Sequence, residues 1–251
     1  MKFILGKKMN MTQIWSDDKV IPCTAVQAGP CFVTQVKDDK SDSYKAIQVS
    51  YGERKAKNIS KSVKGHLKKA ISRDNVAFLR EFRVNDVSNI ETGKFIDASS
   101  FSIGDIVSVV STSKGKGFQG VVRRHGFSGT KKTHGNKDQL RASGSIGAKG
   151  PAHVFKGTKM GGRMGGDRVT VKNLEVVDID LENNILFIKG AIAGAVNSLV
   201  MVKGDGEIIL KDLNSEIKEE KVDVVEEVAS SEEETPTVEE APVEETPVEE
   251  K

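Results

Sequence analysis

Short runs of Val, Ile, Leu, Phe and Tyr, bounded by Gly, Asn, Asp, Ser or Pro, recur along most of the chain. In the first half they fall at 20–27, 32–36, 44–51, 78–84 and 106–110. A second set at 169–171, 174–181, 185–189, 198–202 and 208–210 is rich in Val and Ile, with Glu182, Asn183 and Asn184 as a hairpin turn inside it. Strands of this length and spacing predict a mainly β fold, a closed or nearly closed barrel rather than alternating βαβ units. One helix interrupts them. Ile59, Val63, Leu67 and Ile71 recur every four residues while Lys57, Lys61, Lys64, Lys68 and Lys69 take other faces, so an amphipathic basic helix is expected near 57–71 despite Gly65.

Between the two sets of strands the pattern vanishes. Residues 113–168 hold fourteen glycines, thirteen Lys or Arg, three His and two acids, Asp138 and Asp167, for a net charge of +11. Such a segment cannot bury a core of its own, because its cations outnumber its carboxylates and its glycines raise the entropy cost of ordering it. A polyanion must help to order it, and nucleic acid supplies closely spaced phosphates. The segment therefore reads as a long functional excursion from one β domain, composed of 1–112 and 169–214. Turn-forming clusters at 144–147 and 161–166 flank Pro151, which predicts an irregular hairpin with its tip near 148–153.

The total charge of +2 conceals a division. Residues 215–251 carry fifteen acids against three lysines, net −12, and their Pro and Glu repeats are too poor in apolar area to fold, so this tail reads as disordered. Cys23 and Cys31 lie eight apart with no CxxC and no neighbouring His, which indicates buried free thiols and neither a zinc site nor a disulfide. The apolar start at Phe3, Ile4 and Leu5 is stopped by Lys7 and Lys8, and no later run approaches the length of a membrane span. A soluble cytoplasmic protein is expected.

Other chemistry finds little support. Gly115, Gly117 and Gly120 form a GxGxxG, but a dinucleotide site needs a long helix after the third glycine, and Gly126 and Gly129 follow too soon. His125, His134 and His153 have no zinc spacing, and no paired carboxylates or GxSxG serine accompany them, so neither catalysis, metal nor cofactor is expected. Phe118, Phe127 and Phe155 interleave with the cations and fit either base stacking or hydrophobic anchoring. On charge alone, a free-standing RNA chaperone or nucleic-acid-binding module stands beside any more specific assignment.

Several stretches together are more specific: Ser113-Lys-Gly-Lys-Gly-Phe-Gln-Gly-Val-Val, Arg123-Arg-His-Gly-Phe, Thr133-His-Gly-Asn, Gly144-Ser-Ile-Gly and Gly157-Thr-Lys-Met-Gly-Gly-Arg-Met-Gly. In this order, with Leu79-Arg-Glu-Phe-Arg-Val and an opening similar to a glycine-basic-x-x-Gly-Met-Thr signature at 6–12, the chain over 1–214 resembles the bacterial form of the large-subunit ribosomal protein L-three family. The resemblance implies a barrel similar to the second domain of translation elongation factors. It also implies an extension threading between helices of 23S-type rRNA toward the peptidyl-transferase region, early action in subunit assembly and contacts with neighbouring ribosomal proteins. Neither catalysis, a small-molecule substrate, a membrane nor self-association belongs to it.

The family's rRNA-contacting motifs fall on Lys114, Lys116, Arg123, Arg124, His125, His134, Arg141, Lys156, Lys159, Arg163 and Arg168. Lys149 and His153, near the expected tip, complete the candidate set. Two departures from the family pattern stand out. Ala148 takes the place where many bacterial members carry a glutamine that is methylated, so that modification cannot occur there. Asn10 replaces a glycine of the opening signature, which fits a left-handed backbone, since Asn tolerates positive φ better than most residues.

Overall fold

The computed structural model describes residues 1–16, 19–68, 75–87 and 90–212. In chain order its strands are β1 (Lys2–Ser16), β2 (Lys19–Ala28), β3 (Cys31–Lys37), β4 (Ala46–Glu53), β5 (Val76–Arg83) and β6 (Phe95–Ile96). There follow β7 (Ile106–Thr112), β8 (Phe118–Gln119), β9 (Gly162–Arg163), β10 (Arg168–Asp180), β11 (Ile185–Lys189) and β12 (Leu199–Gly204). The helices are short: α1 (Asp39–Asp42), α2 (Lys61–Leu67) and α3 (Val121–His125).

Six strands close on themselves in the order β1, β12, β7, β10, β11, β2, with every neighbouring pair antiparallel. Alternation turns one side of each strand inward: Val107 and Val109 from β7, Leu186 and Ile188 from β11, Val200 and Val202 from β12. The runs at 32–36, 44–51 and 78–84 do not join this ring. They form a separate four-stranded sheet, ordered β5, β4, β3, β6.

Residues 2–6 of β1 are buried at every position rather than at alternate ones, because this ring strand also packs against the second sheet. Phe3 stacks on Phe82 of β5 at 4.1 Å and 13°, and a single core cluster contains both rings together with Ile47 and Val49 of β4 and Val200 and Val202 of β12. Gly6 is obligatory at this crossing, since a Cβ there would stand 2.6 Å from the Gln27 carbonyl oxygen. Buried Lys2 is ion-paired with Asp105 and lies 5.3 Å from the centre of the Phe101 ring. Burial works to raise the Asp105 carboxyl, but hydrogen bonds from Lys2 and from the Ser102 N–H hold it below its ordinary range.

Several expectations need correction. The two runs at 169–171 and 174–181 are one continuous strand, β10, with a register shift between Val171 and Leu174 where Asn173 takes φ 58°. Residues 208–210 are not a strand; only Lys211 bridges to Phe95. The basic helix is shorter than its periodicity suggests: Ser60 caps α2 by accepting the Val63 N–H, Leu67 is fully buried, and Ile71 lies outside the described residues. Asn10 is not left-handed. It lies in β1 where the pairing with β2 shifts between Lys8 and Met11, so a bulge accommodates the non-glycine residue in extended backbone. The hairpin turn at Glu182, Asn183 and Asn184 forms as expected, with Asp180 accepting from the Asn183 backbone at 3.1 Å and Asn184 at φ 53°. Cys23 and Cys31 are buried free thiols. The acidic residues 215–251 lie outside the described residues.

Candidate nucleic-acid interface

The excursion leaves the ring at the end of β7 and returns at the start of β10, where Thr112 and Arg168 are partners. Its two arms remain paired beyond that point. The Ser113 N–H donates to the Asp167 carbonyl at 2.8 Å, Lys116 N–H to Met164 at 2.9 Å and Met164 N–H to Gly117 at 3.0 Å. The ladder continues as β8 against β9, with Phe118 opposite Arg163. Segments of this composition pair because glycines at 117, 165 and 166, all at positive φ, let the arms bend within the ladder.

Next on the outgoing arm is α3, begun at Gly120 and ended by Gly126 in the left-handed region at φ 74°. Val121 is buried, while Arg123 and Arg124 are exposed. The Arg124 guanidinium donates to the Met160 carbonyl at 2.9 Å, and His125 Nε2 lies 3.0 Å from the same oxygen. These two candidates thus tie the arms together, and Arg124 adds charge as well. A five-residue helix between two paired arms is no dinucleotide fold, so Gly115, Gly117 and Gly120 do not belong to a βαβ unit; Gly117, at φ 68°, serves the bend and Gly120 begins the helix.

Farther out, the chain folds on itself between 130 and 140. The Thr130 N–H donates to Leu140 O at 3.1 Å, its hydroxyl to Gln139 O at 2.8 Å, and Asn136 Nδ2 to Lys131 O at 2.8 Å. His134 sits at φ 61° on this turn. A second turn comes at Lys149, whose carbonyl accepts the Ala152 N–H at 3.1 Å across Pro151. His153 packs edge-on against Phe155 at 5.6 Å.

All thirteen Lys and Arg side chains of 113–168 are exposed, among them Lys114, Lys116, Arg123, Arg124, Arg141, Lys149, Lys156, Lys159, Arg163 and Arg168. Among the described residues, none of the ion pairs includes a cation of this segment. The open question over the phenylalanines has a partial answer: Phe118 is 80% and Phe155 58% exposed, so neither anchors a core, whereas Phe127 is half-buried beside His125.

Lys8 is not among the candidate site residues. Its ammonium donates to Ile192 O at 2.6 Å and Gly194 O at 3.0 Å, and with Lys114 and Lys116 it lines a cleft at the root of the excursion. Only strand pairing brings position 8 beside position 114, so nothing in local spacing could reveal it. Among the described residues, no three His, Cys, Asp or Glu side chains converge as a metal site, and no helix is long and apolar enough to cross a membrane.

Comparison with known proteins adds what charge cannot supply. Residues 35–184 match the family described as Ribosomal protein L3. The Large ribosomal subunit protein uL3 of Chlorobium limicola is 50% identical over 202 residues, covering 79% of this chain and 96% of the relative. The chain belongs to the ribosomal protein L3 family. The protein of the same name from Desulfitobacterium hafniense is 50% identical over 203 residues, 80% of this chain and 95% of the relative. That from Herpetosiphon aurantiacus is 48% identical over 201 residues, covering 79% and 94%. As a member of this family the chain is a structural ribosomal component and not an enzyme.

Proposed function

We propose that this chain is a structural constituent of the large ribosomal subunit in the cytoplasm, where it binds 23S-type rRNA through residues 113–168. The ring and second sheet form its docking body, with the ring a barrel akin to the second domain of elongation factors. The excursion threads between rRNA helices toward the peptidyl-transferase region, and binding occurs early in subunit assembly. Neighbouring ribosomal proteins complete its surroundings, and no self-association is needed.

One observation carries this reading: thirteen exposed cations stand on an excursion with a paired root, none in ion-pair contact with a carboxylate among the described residues, in a chain of the ribosomal protein L3 family. Phosphates brought against such a surface displace condensed counterions, which is favourable and strongly salt-dependent. Lys114, Lys116, Arg123, Lys149, Lys156, Lys159, Arg163 and Arg168 supply charge. Arg124, His125, Arg141, His134 and His153 add directional donors near turns that set the backbone's path. If about half of the thirteen cations meet phosphates, log affinity falls with log salt at a slope of roughly −4 to −6.

The test is sedimentation of cell lysate on a sucrose gradient, with fractions probed for this chain before and after a high-salt wash. Stoichiometric retention on the large subunit through the wash is expected. A chain found only in soluble fractions overturns the proposal in favour of a free-standing RNA-binding module.

A further inference from the structure

We propose that the cleft at the root of the excursion, between Lys8 on β1 and Lys114 and Lys116 on the outgoing arm, seats a single backbone phosphate of rRNA, with Lys8 as its pre-positioned floor. This rests on the reading of 113–168 as an rRNA-binding element and adds to it a residue from outside that segment.

Pairing brings the three lysines together. The Lys8 N–H donates to Ser198 O at 3.0 Å and its carbonyl accepts the Asn197 N–H at 2.8 Å, so β1 is tied here to the turn entering β12. Val200 of β12 is in turn the partner of Ser111 at the end of β7, two residues before the excursion begins. Lys8 therefore faces the root of the outgoing arm across one strand. The walls are drawn close by glycine. Gly194 has φ 101° and a Cβ there would stand 2.6 Å from Ser198 Oγ and 2.9 Å from Thr112 O, while one on Gly165, at φ 75°, would collide with the Lys114 carbonyl. The resulting space is about 480 Å³.

Its charge is unbalanced from within. Three ammoniums border the cleft against one carboxylate, Asp167, and among the described residues no ion pair includes Lys8, Lys114 or Lys116. Burial first, and the neighbouring charge of Lys114 second, push the Lys8 ammonium below its ordinary range. Gathering like charges this way costs the free protein stability that an incoming anion would restore. Lys8 also differs from the exposed Lys114 and Lys116 in being half-buried and held by two carbonyls, which leaves its third hydrogen for an acceptor. Its rotamer freedom is already spent in the free protein, so contact with a phosphate adds little ordering cost.

The experiment compares the full chain with Lys8→Met, Lys114→Met and the double variant, binding protein-free large-subunit rRNA over a salt series. Each single change should weaken binding about 3- to 10-fold at low salt and flatten the log–log salt slope by about one. The double variant should lose clearly less than the product of the two single losses, because both lysines meet one phosphate. Lys131→Met, distant along the excursion, should combine with Lys8→Met multiplicatively. Urea unfolding of each protein separates a carbonyl clamp from an anion seat, and Lys114→Met, which removes no hydrogen bond within the fold, keeps the question open to measurement should Lys8→Met fold poorly. An unchanged slope in Lys114→Met, a Lys8→Met variant altered only in urea midpoint, or independent losses in the pair would overturn the phosphate seat. Absence of salt-dependent binding in the unmodified chain would instead sink the reading of the excursion itself.

Discussion

The body and the excursion of this chain solve opposite problems with the same residue types. In the body several cations have a carboxylate partner inside the fold: Lys2 with Asp105, Lys37 with Glu81, Lys94 with Glu91, Lys189 with Glu175, Lys211 with Asp97. Along 113–168 no such ion pair occurs among the described residues, although cations are denser there. Glycine does not divide this way. Gly6 and Gly194 in the body, and Gly129 and Gly165 in the excursion, are pressed against neighbouring atoms, whereas Gly104 and Gly190 in the body, and Gly115, Gly120, Gly147 and Gly150 in the excursion, would meet nothing within 4 Å if given a Cβ. Among the described residues it is ion pairing, then, and not glycine packing, that separates the body from the excursion.

The contrast can be broken most forcefully at the joint between ring and second sheet. Phe3→Ala removes a fully buried ring stacked on Phe82, and a loss of about 3–5 kcal/mol in unfolding free energy is expected from urea denaturation followed by circular dichroism. A loss under about 1 kcal/mol would mean that the two sheets are not energetically coupled through β1. The complementary change neutralises Lys114, Arg123, Lys156 and Lys159 to glutamine. Here unfolding free energy should remain within about 0.5 kcal/mol, while the salt slope for rRNA binding flattens by about 3 to 4. A large stability change with an unaltered slope would reverse the assignment of roles.

Titration of Cys31 probes the body alone. Its thiol is fully buried between β1 and β3, accepting from the Leu5 N–H at 3.4 Å, and burial pushes it from 9.0 to about 12. A thiol raised in the folded state keeps its proton while the unfolded thiol loses one. The contribution is therefore complete below the unfolded value and is lost as pH climbs from 9.0 to about 12. Stability should fall by up to about 1.4 kcal/mol per pH unit in that window from this group, and Cys31→Ala should remove that part of the slope. Tyr51, also pushed to about 12 by burial and by Cys31, acts in the same direction, so some alkaline loss persists in the variant.

Residue pattern made much of this division legible and obscured the rest for identifiable reasons. Strands with a single buried face, such as β11 and β12, alternate clearly, and composition alone marked the excursion. β1 escaped notice because its buried half carries Lys2 and its exposed half begins with Lys7 and Lys8; burial on two faces erased the alternation that identifies a strand. That the strands divide between a ring and a second sheet depends on pairing partners far apart in sequence, as does the approach of Lys8 to Lys114. β8 and β9, two residues each, have too little length for any period to show. The candidate cations were named from the sequence, but the use of Arg124 and His125 to hold Met160 required coordinates.

Two glycines offer the finest version of the comparison. Gly6→Ala places a methyl against the Gln27 carbonyl and the Val26 side chain, at 2.6 and 2.8 Å; the backbone oxygen cannot swing aside, so overpacking of about 1–3 kcal/mol is expected in the free protein. Gly115→Ala puts its methyl in open space, and Gly115 is not among the glycines at positive φ, so neither contact nor backbone opposes it. Free-protein stability should therefore change by no more than about 0.5 kcal/mol. If glycine is there to let a phosphate approach the backbone between Lys114 and Lys116, the same substitution should still weaken rRNA binding while leaving the salt slope intact, because no charge has been removed. Weaker binding with a preserved slope and preserved stability would place the reason for Gly115 outside the fold. Unchanged binding would show that no phosphate approaches the backbone there.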